Sequence, residues 1–104
     1  MIRPWLPLTA ANLAEVPAAL GVFEISGPGG VIAVEYAGGH SSFGLRGRLE
    51  RWLDDRPGLT FRYERTNAYL SRYRELVRAF EDEHGRPPEQ PAGAGSEQRL
   101  EGDR

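Results

Sequence analysis

Along this chain the spacing of apolar residues switches between two periods, and each switch marks an element. GVFEIS (21–26) and VIAVEYA (31–37) are runs of β-branched and aromatic residues, the composition of strands. Between them SGPGG supplies a fixed-φ proline and φ-permissive glycines, so the two runs predict a β-hairpin closed by a tight reversal. VIAVEYA is apolar at nearly every position up to Glu35, which predicts a central strand covered on both faces. From Ser42 the period lengthens. Leu45, Leu49, Trp52 and Leu53 form one stripe, with Arg46, Arg48, Glu50 and Arg51 around the rest, the pattern of an amphipathic helix. Asp54, Asp55, Pro57 and Gly58 end it.

LTFRYER (59–65) returns to strict alternation, with Leu59, Phe61 and Tyr63 on one side and Thr60, Arg62 and Glu64 on the other, and so predicts a half-buried strand. TNAYLSRYRELVRAFEDEH (66–84) opens on a capping Thr66 or Asn67 and carries Tyr69, Leu70, Tyr73, Leu76, Val77 and Phe80 at helical intervals until Gly85, Pro87 and Pro88. Near the start, Thr9 can cap a short helix over 10–15 that Pro17 ends. The predicted order is α-β-β-α-β-α. It describes an α+β fold in which a small three-stranded antiparallel sheet carries flanking helices. Residues 1–88 form one domain, as a length of 104 residues suits. From 89 to 104 almost no apolar side chains offset the entropy of ordering, and a flexible polar tail is expected.

Composition narrows the chemistry. Cysteine is absent, which removes disulfides, thiolate zinc sites and a cysteine nucleophile and suits a reducing, cytoplasmic setting. No segment approaches the roughly 20 consecutive apolar residues that a bilayer requires. The net charge is −2, so the molecule is no polycation that coats nucleic acid indiscriminately. All 13 basic residues are arginines, whose planar fork suits phosphate where it is well placed. Neither histidine has a matched nucleophile and carboxylate, and GGHSSFG lacks the lysine and spacing of a P-loop.

One loop draws attention. YAGGHSSFG delivers Gly38, Gly39, Ser41 and Ser42 to the start of a helix, where backbone amides can cradle a phosphate; the same residues also suit an ordinary turn and cap. His40 beside Tyr36 could act as a base. His84, at the end of the last helix, is favoured there by the helix dipole.

GVFEI, the hairpin, YAGG, LRGRL on a helix, then a strand and a helix containing RELVRAF together resemble the GIY-YIG nuclease domain over roughly residues 19–88. The resemblance implies a ββαβα core and a Mg2+- or Mn2+-dependent endonuclease that hydrolyses DNA phosphodiester bonds. By that likeness Gly21, Val22 and Phe23 stand at the first motif and Tyr36, Ala37 and Gly38 at the second; an alternative register places Ala33, Val34 and Glu35 there. Phe23 departs from the family, whose tyrosine helps activate the attacking water, because a phenyl ring has no exchangeable proton. The resemblance makes Arg48 the arginine that holds the scissile phosphate; Arg46, two positions earlier and so on a different side of the helix, is the second candidate for a phosphate contact. Glu75 becomes the metal-binding glutamate, although a shifted register puts Tyr73 in that position. Tyr36 or His40 would position the water. The alternative is a catalytically inactive GIY-YIG-like module that binds nucleic acid or protein. Convergence of Tyr36, His40, Arg48 and Glu75 on one surface would favour the enzyme.

Overall fold

The computed structural model describes residues 1–91. The chain runs β1 (Leu6–Pro7), α1 (Ala10–Leu13), β2 (Gly21–Gly27), β3 (Gly30–Ala37), α2 (Gly44–Asp55), β4 (Thr60–Arg65) and α3 (Tyr69–His84). All neighbouring strands are antiparallel, in the order β1-β4-β2-β3. The α+β architecture with flanking helices is as expected, but the open sheet has four strands, not three. The added strand is two residues long and half proline, too short to carry a periodic signal.

Hydrogen-bond parity explains how β1 tolerates that proline. The amide of Leu8 donates to the carbonyl of Leu59 (2.9 Å), while the amide of Thr66 donates to Leu20, next to β2 (3.2 Å). In an antiparallel ladder bonded and non-bonded pairs alternate. Odd-numbered β4 residues therefore face β1, and even-numbered ones bond β2. Pro7 stands opposite Thr60, where no ladder bond is needed. Pro4 would fall opposite Tyr63, where a donor is needed and proline has none. The strand stops short of it.

The hairpin forms as expected, with a bulge between Ile25 and Ser26 and Gly30 at φ 117°, a conformation glycine adopts freely. The central strand is β2, however, and β3 is an edge. The apolar run in β3 reflects cover on both faces rather than neighbours on both sides. α1 and α2 cover one face around Phe23, Ile25, Leu45, Leu49, Trp52 and Phe61. α3 covers the other around Val22, Val34, Leu76 and Phe80, with Tyr36, Tyr69 and Tyr73 packed against them.

Thr9 caps α1, its hydroxyl accepting from the amide of Asn12 at 3.1 Å. α3 starts later than its sequence pattern, with Thr66 instead receiving the Ala68 amide in the preceding turn. Of the expected polar tail, Glu89 is held: its amide donates to the Ile32 carbonyl of β3 (2.9 Å) and its carboxylate pairs with Arg56 (3.1 Å). The rest of that tail, 92–104, lies outside the described residues.

Candidate functional site

Arg48 and Trp52 lie four residues apart on α2 and so share the face that meets β3. Arg48 is 2% exposed and Glu35 3%. Arg48 donates from Nε to the backbone carbonyl of Tyr36 (3.1 Å), and Trp52 donates from Nε1 to Oε2 of Glu35 (2.9 Å). Beyond the strand, the Tyr36 ring stacks on Tyr69 with centroids 5.7 Å apart and meets the edge of Tyr73 at 4.9 Å. The Arg48 guanidinium carbon is 5.8 Å from the Tyr36 ring centre. A layer of two charged groups and four aromatic rings thus wraps the free edge of β3.

Burial pushes the Tyr73 phenol above its ordinary range; the negative charge of Glu35 and the neighbouring Tyr36 push it further, while Arg48 pulls it down. A folded-state pKa above the unfolded value near 10 means that stability is complete below that pH and falls as pH rises towards the folded value. Tyr73→Phe is expected to flatten the decline in urea stability above about pH 10. Absorbance titration should show a late-ionising tyrosine component that is absent from the variant.

The structure brings Tyr36 and Arg48 together but separates the other sequence-predicted residues. Glu75 is 67% exposed and pairs with Arg72 (3.1 Å), which also holds Glu64 on β4 (3.1 Å). The turn of α3 that faces Tyr36 instead presents Tyr73. Phe23 and Tyr36 lie in cores on opposite faces of the sheet, so the two motif positions do not share a surface; Val22 is the partner opposite Tyr36. Arg46 donates from Nε to Val16 (2.8 Å) and tethers the end of the α1 segment. It is a structural clasp.

The glycine loop is largely self-satisfied. Ser41 accepts the Gly38 amide through Oγ (3.1 Å) and returns its own amide to the Gly38 carbonyl (3.1 Å). At the helix start the Gly44 amide bonds Ser41 and the Leu45 amide bonds Ala19. The amides of Gly38, Ser41 and the first helical residues are therefore engaged, and the Ala18–Ala19 backbone lies against Gly44. This arrangement is a turn and a helix start, and of the residues Gly38, Gly39, Ser41 and Ser42 expected to cradle a phosphate, Gly38 and Ser41 have their amides engaged within the chain. Gly38 leaves room for Tyr69, whose Cε1 would stand 2.8 Å from an added Cβ. His40 and Ser42 are exposed on the loop. His84 packs on Phe80, 4.3 Å between ring centres.

Among the described residues no group of three or more His, Asp or Glu side chains is placed to hold a metal ion. A magnesium site built on one carboxylate needs that carboxylate beside the phosphate-holding group. Glu75 is committed to Arg72, and Glu35, which stands by Arg48, is enclosed and bonded to an indole. These residues do not fit the expected metal. Sequence patterning passed over Glu35, Trp52 and Tyr73 as one cluster. The available signal was the single acid in an otherwise apolar strand, since a charge at such a position needs a buried donor.

Fold and site together define a small α+β domain in which a buried polar layer closes one sheet edge. Its family model matches residues 1–83, and the chain belongs to that family, a domain of unknown function designated DUF7508. No curated protein and no solved structure matches it. Among the described residues no helix is long and apolar enough to cross a membrane.

Proposed function

We propose that this chain is a non-catalytic binding module on a GIY-YIG-like scaffold. The ββαβα order, YAGG and LRGRL support the scaffold. The observation that carries the non-catalytic reading is the position of Arg48. Its guanidinium is enclosed and bonded to the Tyr36 carbonyl, whereas an arginine that stabilises charge on a phosphoester must reach the substrate. The positions of Phe23 and Glu75 support the same reading. A module of this kind contacts its partner through local surface chemistry, because a net charge of −2 gives no general attraction to a polyanion.

The test is supercoiled plasmid incubated with purified protein and Mg2+ or Mn2+ from mildly acidic to alkaline pH. Intact plasmid is expected throughout. Metal-dependent nicking that disappears in both Arg48→Ala and Glu75→Ala would overturn the reading and restore the endonuclease.

A further inference from the structure

The two edges of the sheet are finished differently. On β3, the carbonyl of Ile32 accepts from Glu89 and that of Tyr36 from Arg48. On β4, Leu8 and Leu6 cover Leu59 and Phe61, but β1 ends before Tyr63 and Arg65. By ladder parity these two residues direct their amides and carbonyls outward, and no described hydrogen bond meets them. They open into a cleft of 330 Å³ lined by Arg3, Pro4, Leu6, Arg62, Tyr63 and Arg65. Its charged lining is entirely basic. Arg62 is matched, pairing with Glu24 at 2.7 Å and lying 4.2 Å over the Trp5 ring. Arg3 and Arg65 are exposed, and neither has an ion pair among the described residues.

The geometry points to this edge as a docking site for an extended acidic peptide of a partner protein, which adds a strand beside β4; this rests on the binding-module reading above. An extended peptide supplies both amides and carbonyls to an open edge, and side chains at alternate positions point to one face. Phosphate oxygens only accept, so a nucleic-acid strand would leave the outward carbonyls of Tyr63 and Arg65 facing its own acceptors. A strand bearing carboxylates meets Arg3 and Arg65 with complementary charge. A second copy of the same edge meets them with like charge, which is how basic edge residues prevent self-pairing.

The test uses three labelled probes at low salt: a blocked peptide of alternating glutamate and valine, its lysine counterpart, and oligodeoxythymidine. Anisotropy reports affinity and NMR amide exchange reports the edge. The glutamate peptide is expected to bind and to protect the Tyr63 and Arg65 amides. The double variant Arg3→Glu, Arg65→Glu should weaken it by about tenfold or more, while Arg74→Glu, Arg78→Glu on the exposed side of α3 should leave those amides protected. Circular dichroism checks that both variants fold. The inference is overturned if the glutamate peptide leaves these amides unprotected, if the lysine peptide binds equally well, or if oligodeoxythymidine alone binds at the cleft. Plasmid nicking would refute the non-catalytic reading without altering amide protection, so the two failures are distinguishable.

Discussion

Replacing Arg48 with alanine is expected to destabilise the fold by about 3 kcal/mol, combining the cavity left by a long buried side chain with a buried carbonyl deprived of its donor. Arg48 fills the space between α2 and the edge of β3 and bonds the Tyr36 carbonyl. Its removal also takes a positive charge out of an enclosed layer that holds the buried Glu35. Urea unfolding of Arg48→Ala beside Arg74→Ala, an exposed arginine of α3, provides the comparison; the latter should stay within about 0.5 kcal/mol of the parent. Equal stability of the two variants would show that Arg48 has no structural part, and the case against a catalytic role would lose its main support.

A comparable loss is expected from Gly44→Ala. Gly44 begins α2 at φ 55°, a region that costs an alanine roughly 1–2 kcal/mol. An added Cβ would also stand 2.6 Å from both the amide nitrogen and the carbonyl oxygen of Ala19. Neither is the end of a flexible side chain, so α2 or the 18–19 segment must move, weakening the bond from the Leu45 amide to Ala19. A total of about 3 kcal/mol or more follows, lowering the melting temperature of a domain this size by on the order of 15 °C. Gly39→Ala, with open space around its Cβ, is the control. An unchanged melting temperature for Gly44→Ala would mean that the helix start is not locked against Ala19.

These residues show where the sequence was legible. The hairpin, α2, β4 and α3 declared themselves because each repeats a period over several residues, and the Thr9 cap because its side chain acts within its own turn. β1 was invisible for the opposite reason: its two residues pair with a strand more than fifty positions away, and no local pattern encodes that. The assignment of β3 as central failed because a run buried on both faces looks the same whether its cover is strand or helix. In the site, Tyr36 and Arg48 were found together. Glu75 and Arg46 were not, since charged residues on a helix look alike in sequence until their partners are known, and Glu64, Arg72 and Val16 supply those partners from other elements. Gly44 appeared only as one more loop glycine, because the backbone it must admit comes from residue 19.

The unequal finishing of the sheet limits how far it can grow. Glu89 already occupies the Ile32 carbonyl of β3 and Arg48 that of Tyr36, so a strand arriving there finds two acceptors taken, whereas beside β4 Tyr63 and Arg65 stand beyond the end of β1. Growth of the sheet is thus biased to one side, since an edge with part of its ladder occupied is a poorer template for open-ended stacking.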